Sequence, residues 1–143
     1  MHKNSGFTLI EFLTVIAIIA VVATILIPNV ISWLPRYRLS SGAEEIQSTL
    51  QLARLGAIKQ NRNATVTFDT ANQTFLATII DGQMIKKGKM PAGILIDSVS
   101  SPSSQVQFDS RGLADDSTDI LVKNNQGGMK KITVNIVGKS SIQ

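Results

Sequence analysis

The chain has 143 residues, with 14 lysines and arginines against 10 aspartates and glutamates, a formal net charge of +4, and no cysteine. This length allows one domain plus an anchor, but not two full domains. Cysteine is missing and the single histidine is His2, so the composition excludes disulfide frameworks, thiolate zinc sites, and centres built on cysteine or on a histidine beyond the first residues.

An apolar run from Phe7 to Ile27 follows a short basic head, residues 1–6. As a helix rising 1.5 Å per residue, this run measures about 31 Å, close to the hydrocarbon thickness of a bilayer. It is longer than the apolar core of a secretory signal peptide, and no Ala-x-Ala site follows it. A membrane anchor with Lys3 on the inner side is therefore favoured over a conventional signal peptide.

Glu11 is the one charged residue within this apolar run. An ionisable group at the centre of a bilayer costs about 2.5–3.5 kcal/mol on insertion scales, and less near an end. Glu11 lies only four residues into the helix, so its side chain can reach the polar interface. The other interpretation is that a cationic partner neutralises it, and the residues alone leave both open.

A second helical pattern predicts an amphipathic helix over residues 36–61. Its apolar residues recur at steps of four and three, as expected for a helix that covers a hydrophobic surface. Pro28 and Pro35 lie between the two patterns and are expected to kink or locally loosen the helix. We expect Leu52, Leu55 and Ile58 to widen the apolar stripe, whose members are Leu39, Ala43, Ile46, Leu50, Ala53 and Ala57.

The remaining chain, residues 62–143, predicts short antiparallel strands. An Asp81-Gly82 pair favours a tight primed turn between two of them, and residues 124–128 predict a second turn. One face of the resulting sheet is expected to pack on the stripe of the helix, which gives an α+β fold. The predicted strands are residues 64–68, 74–80, 83–85, 94–99, 106–108, 120–123 and 131–137.

Two charged clusters are candidate binding sites. The acidic cluster could bind calcium, although its spacing does not match an EF-hand, and a solvated loop is the simpler interpretation. The basic cluster could bind DNA, while exposed lysines on strands and turns are the simpler interpretation. The acidic residues are Asp109, Asp115, Asp116 and Asp119, and the basic residues are Lys86, Lys87, Lys89, Lys130 and Lys131.

The segment from Gly6 to Glu11, Gly-Phe-Thr-Leu-Ile-Glu, followed by a long apolar helix, resembles the class III prepilin signal of type IV pilins and type II secretion pseudopilins. The resemblance implies the type IV pilin fold. It also implies cleavage between Gly6 and Phe7 by a prepilin peptidase, which methylates the new Phe7 amine. Pro28 stands where that family commonly carries a helix-breaking proline.

Three further segments resemble the H-type pseudopilin and fimbrial T-type minor pilin group. Residues 52–61 are similar to its helix end, residues 108–114 to its strand–turn with a glycine, and residues 131–139 to its closing strand. The chain departs from many pilins because it lacks their cysteine pair, and it has no glycine within the apolar run.

The resemblance implies a structural subunit of a type IV pilus or a type II secretion pseudopilus, assembled by bundling of N-terminal helices. We therefore expect no enzymatic activity, no cofactor and no resident metal. Its expected partners are other copies or other pilins in a helical filament, the prepilin peptidase, an inner-membrane assembly platform, and membrane lipid before assembly. The alternatives are a minor pilin whose β domain binds DNA for uptake, and a tethered periplasmic binding domain.

The expected organisation is a leader peptide (1–6), a transmembrane or filament-core helix (7–35), an amphipathic helix (36–61) and a β domain (62–143). The expected location is the inner membrane, crossed once, with the C-terminal domain outside the cytoplasm, and then a periplasmic or extracellular filament. Between staggered subunits, Glu11 of one helix is expected to pair with the Phe7 amine of the next, which favours assembly and fixes the register.

Overall fold

The computed structural model describes residues 7–143, apart from the side chains of residues 27–32. Gly6, one side of the predicted cleavage point, lies outside the described residues. Contacts divide the chain into two compact units, with the boundary between Leu34 and Pro35. The elements are α1 (Leu9–Gln60), β1 (Ala64–Asp69), β2 (Thr74–Ile79), β3 (Met84–Lys89), β4 (Ile94–Val99), β5 (Gln105–Phe108), β6 (Thr118–Asn124), β7 (Met129–Val134) and β8 (Ser140–Ile142).

The first unit contains the apolar part of α1. The stretch Leu9–Leu26 has a mean hydropathy of 2.8, none of it is buried, and it is long and apolar enough to cross a membrane. The helix continues through position 28. The side chain of Pro28 lies outside the described residues, so the kink or melting expected there stays a prediction.

The amphipathic part of α1 buries the face that its sequence predicts. All six residues of the stripe, from Leu39 to Ala57, are buried in one hydrophobic core with residues of the strands. The expectation that Leu52, Leu55 and Ile58 widen the stripe is wrong, because they are 44%, 60% and 45% exposed. The geometry of the helix explains this. Leu55 is two residues from both Ala53 and Ala57, and residues two apart point about 200° away from each other.

The strands pair antiparallel, as predicted, and form two four-stranded sheets. Their orders are β3-β2-β1-β5 and β4-β6-β7-β8. Alternate residues point into the core, as expected for sheets with one buried face. The buried residues of the first sheet include Val66, Phe68, Phe75, Ala77, Val106 and Phe108, and those of the second include Ile94, Ile96, Ile120, Val122, Ile132 and Val134.

Gln73 links the two sheets at the turn between β1 and β2. Its backbone is left-handed, with φ at 56°. Its side-chain amide donates to the carbonyl oxygen of Ile96 at 3.4 Å and accepts from the N–H of the same residue. The amide group of Gln73 therefore takes the place of a neighbouring strand along β4, a long-range pairing that the local sequence pattern does not signal.

The hairpin between β2 and β3 differs from its prediction. Gly82 has φ at 76°, whereas Asp81 does not have a positive φ. The turn is therefore not of a primed type, because both primed types need a positive φ at the first of the two turn residues. The N–H of Gly82 donates to the carbonyl oxygen of Ile79 at 2.8 Å. β3 extends to Lys89, beyond the predicted end at residue 85. The backbone of its lysines pairs along β2, whereas their side chains lack the alternation of apolar and polar residues from which a strand is predicted.

The closing part of the chain also differs. β7 ends at Val134, and residues 135–139 form a turn in which Gly138 has φ at 76°. Ile136 and Val137 are 60% and 62% exposed on this turn. Both are β-branched residues, which are typical of strands, so the sequence pattern predicted a strand that continues past the observed end of β7. A short strand that the sequence did not predict, β8, follows and pairs with β7.

Candidate functional site

Glu11 lies in the first turn of α1, four residues after the exposed Phe7. The N–H of Glu11 donates to the hydroxyl of Thr8 at 3.3 Å, so Thr8 caps the helix. Thr-x-x-Glu is the spacing of a capping box, a local signal that sequence reasoning missed. The carboxylate of Glu11 forms no ion pair with residues 7–143, and the positive end of the helix dipole favours its charge there.

The helix surface that follows Glu11 is apolar and uncovered. Between Phe12 and Leu26 there is no charged residue, and the large side chains are about half exposed or more. The surface carries a shallow groove of about 300 Å³, lined by Thr14, Ala17, Ile18, Val21 and Val22. A surface of this kind is stable only against lipid or against other apolar surfaces.

In the second unit, Arg54 brings together the three segments that resemble the H-type group. Its Nε donates to the carbonyl oxygen of Gly112 at 2.9 Å, and its Nη2 donates to that of Val137 at 3.1 Å. Gly138 lies so close to Gly112 that a Cβ on Gly138 would be 2.1 Å from the Gly112 carbonyl oxygen. Arg54 therefore holds two turns against the end of α1, a role that the sequence did not assign.

The four acidic residues considered for calcium do not form a metal site among the described residues. Asp109 instead closes its own turn, because its carboxylate accepts the N–H groups of Leu113 and Arg111, each at 2.9 Å. These hydrogen bonds, that of Leu113 first, hold the pKa of Asp109 below its usual value of 3.8. Asp119 pairs with Lys131 at 3.5 Å and accepts the hydroxyl of Thr133 at 2.7 Å.

The five lysines considered for DNA do not share one face. Lys86 points toward α1, with its Nζ 3.9 Å from Glu45 Oε1, while Lys87 and Lys89 are exposed on the same strand. Lys130 and Lys131 lie in the other sheet, where Lys131 pairs with Asp119. The structure thus distributes these charges over two sheets, and two of the five lysines, Lys86 and Lys131, lie beside carboxylates.

Comparison with protein families finds two matches. The family described as "Type II transport protein GspH" matches residues 42–138. The "Prokaryotic N-terminal methylation motif" matches residues 1–27, the region that contains the predicted cleavage point and Glu11. Together the two matches cover the apolar helix Leu9–Leu26, the amphipathic helix from residue 42 onward and most of both sheets. No curated protein matches the chain.

Comparison with solved structures finds the same fold. The type IV minor pilin FimU of Pseudomonas aeruginosa is 19% identical, with a TM-score of 0.64 over 76% of this chain and 90% of FimU. The minor pseudopilin EpsH of Vibrio cholerae is 15% identical, with a TM-score of 0.60 over 74% of this chain and 96% of EpsH. The predicted type IV pilin fold, a long N-terminal helix on antiparallel sheets, is confirmed.

Proposed function

The chain belongs to the GspH family of type II transport proteins, and on that premise we propose how its N-terminal segment is processed and assembled. It is a structural subunit of pilin or pseudopilin type, which its fold and the methylation motif agree with. This family and fold are those of structural subunits that assemble with other pilins, rather than those of enzymes.

The observation that carries the proposal is the uncovered apolar helix Leu9–Leu26 with Glu11 as its one charge. Before assembly, lipid covers this helix as a single span of the inner membrane, with residues 35–143 outside the cytoplasm. An assembly platform in that membrane then extracts the subunit. In the filament, the helices of other copies or other pilins replace the lipid, and the product is a periplasmic or extracellular fibre.

Processing by a prepilin peptidase between Gly6 and Phe7 creates the cation that Glu11 needs. The new amine on Phe7 stays positively charged after one methylation. Within one copy this amine lies one helical turn from Glu11, and between staggered copies it can meet the Glu11 carboxylate of a neighbour. An isolated charge in an apolar environment is penalised and a paired charge much less so, which favours assembly in one register.

Thr8 does not compete with this role of Glu11. The cap uses the backbone N–H of Glu11, so the carboxylate stays available to a partner while the cap fixes the start of the helix. We further propose that Pro28, which lacks a backbone donor, lets the helix bend or locally melt as the subunit moves from membrane to filament.

We propose a minor rather than a major subunit, supported by the family match and by the fold shared with a minor pilin and a minor pseudopilin. DNA binding by the β domain is not proposed, since its five candidate lysines lie on different sheets.

Mass spectrometry of the native protein tests the proposal. A mature N-terminus at methylated Phe7, in protein recovered from filaments together with other pilins, is expected. A native protein that keeps residues 1–6 and is absent from every filament would contradict it. Methylated Phe7 also excludes the tethered binding domain, which requires no such processing.

A further inference from the structure

Four segments of the second unit come together at the end where α1 enters it, and we call this end the entry face. The segments are residues 35–42, 69–73, 89–93 and 124–128. Hydrogen bonds join them into one surface. The joined residues, donor first, are Asn124 and Pro35, Arg38 and Ala92, Asn125 and Gly93, and Met90 and Gln73, at 3.5, 3.3, 3.3 and 2.9 Å, respectively.

The charge of the entry face is mostly positive. Its four charged residues are the exposed cations Arg36, Arg38 and Lys89, and one anion, Asp69. The carboxylate of Asp69 is used within its own turn, where it accepts two backbone N–H groups at 3.0 and 2.9 Å. None of the three cations forms an ion pair within residues 7–143. Their charges are therefore available to an anionic partner.

The length of the chain keeps the entry face close to the membrane that the apolar helix can cross. Pro35 follows Leu26, the end of the apolar stretch, by nine residues. Nine residues span about 14 Å as a helix and about 32 Å at most in any conformation. Residues 27–34 include five large apolar residues, so burial in the bilayer draws the entry face closer to it.

Lipid headgroups lie within this reach. They extend about 5–7 Å beyond the hydrocarbon on each side of a bilayer, and long cationic side chains can extend toward them. A guanidinium has five N–H donors and binds phosphate oxygens two at a time. Arg38 uses one nitrogen for the carbonyl oxygen of Ala92, which positions its side chain and leaves other donors for phosphate. Because anionic lipids carry no compensating cation, a positive surface prefers them to zwitterionic lipids.

We infer that the entry face binds the phosphate groups of anionic phospholipids at the outer surface of the membrane, through Arg36, Arg38 and Lys89. This inference rests on the proposed membrane span and adds a lipid-binding surface on the second unit. The contact holds the second unit against the membrane before assembly. A subunit that is extracted into a filament then leaves these headgroups as well as the hydrocarbon.

Trp33 allows the contact to be measured, because it is the only tryptophan of the chain and comes three residues before Arg36. The full-length protein is placed in vesicles of equal parts phosphatidylglycerol and phosphatidylcholine. Brominated acyl chains, which quench tryptophan fluorescence, are carried by one lipid or by the other. The two quenching curves give the relative binding constant of the two lipids. At low ionic strength, the natural chain is expected to prefer phosphatidylglycerol at least tenfold.

A pair of double variants with the same change of net charge isolates the entry face. Arg36→Gln with Arg38→Gln is expected to lower the preference at least fivefold. The matched control, Arg62→Gln with Arg111→Gln, is expected to keep it, because both of these exposed arginines lie near the other end of α1 and pair with carboxylates.

A single variant separates lipid binding from folding. Arg36→Gln leaves the hydrogen bond of Arg38 to Ala92 in place. It is expected to keep the thermal unfolding midpoint of the natural chain and to lower the preference for phosphatidylglycerol at least twofold. An unchanged preference in Arg36→Gln would remove Arg36 from the proposed contact.

Each other outcome contradicts a stated part of the proposal. Equal quenching by the two brominated lipids overturns the inference and leaves the membrane span intact. A preference that survives the double substitution of Arg36 and Arg38 excludes the entry face as its source. Equal quenching, together with loss of that double variant from filaments, would mean that the cations bind an acidic surface of another pilin. If neither lipid quenches Trp33, the proposed membrane span itself fails.

Discussion

At the scale of single residues, three contacts hold two turns of the second unit against the end of α1. Arg54 donates to the carbonyl oxygens of Gly112 and Val137, and Gly138 lies against Gly112. None of these residues is hydrophobic core in the usual sense. They join turns that are distant in the sequence, so their substitution is expected to act on the whole unit.

Gly138 and Gly82 form a matched pair, since both have φ at 76°. A Cβ on Gly82 would meet nothing within 4 Å, so Gly82→Ala is expected to cost only the left-handed conformation, about 1–2 kcal/mol. Gly138→Ala adds a clash with the Gly112 carbonyl and is expected to cost about 1–3 kcal/mol more. Denaturant unfolding of both variants measures the difference, and equal losses would contradict the close approach.

Asp109 makes stability depend on pH. Its pKa is lowered in the folded chain, chiefly by the hydrogen bond from the N–H of Leu113. The ionised carboxylate therefore stabilises the fold fully at pH values above the unfolded pKa near 3.8. This stabilisation is lost as the pH falls through the lower pKa of the folded chain. Asp109→Asn is therefore expected to lower the unfolding midpoint at pH 7 and to lose less stability than the natural chain below pH 3.8. Parallel profiles of the two proteins would contradict this assignment.

At the scale of elements, one face of α1 in the second unit is buried in the core and the opposite face is exposed. Ala53 and Ala57 are fully buried, and Leu55 between them is 60% exposed. The period of the helix predicts the buried face correctly. The expectation that Leu52, Leu55 and Ile58 belong to that face is wrong. The reason is that hydrophobicity alone does not say whether an apolar residue faces its own core or another molecule.

Leu50 and Leu55 test this division with the same residue type. Leu50 is 1% exposed, so Leu50→Ala is expected to destabilise the protein by about 2–5 kcal/mol through lost burial and a cavity. Leu55→Ala is expected to change stability by less than about 0.5 kcal/mol. Chemical denaturation followed by circular dichroism measures both, and similar losses would mean that Leu55 belongs to the core.

At the scale of the whole molecule, the proposed exchange of lipid for neighbouring subunits depends on one charge. The apolar helix has no buried residue between Leu9 and Leu26, and Glu11 is its only charge. Packing against other helices gives the apolar surface a new environment, but it does not by itself specify a register. We propose that the pairing of Glu11 with the Phe7 amine supplies that register.

Glu11→Gln is expected to leave membrane insertion unchanged and to reduce incorporation into filaments about tenfold or more, since each 1.4 kcal/mol of lost pairing is a factor of ten. Glu44→Gln is the matched control, because Glu44 is also an exposed glutamate on α1. Immunoblots of membrane and filament fractions give the ratio. Normal assembly of Glu11→Gln would rule out the pairing as the basis of register.

Features that depend on neighbours along the chain are predictable from the order of residues alone. Local patterns of periodicity or residue order predict the apolar helix with Glu11, the prepilin-like segment from Gly6, the buried stripe and most strands. The folded structure was needed to show which turns Arg54 joins, that Leu55 and Ile58 stay exposed, and that the lysines lie in two sheets. Those outcomes depend on residues more than fifty positions apart, such as Arg54 and Gly112, which no local spacing relates.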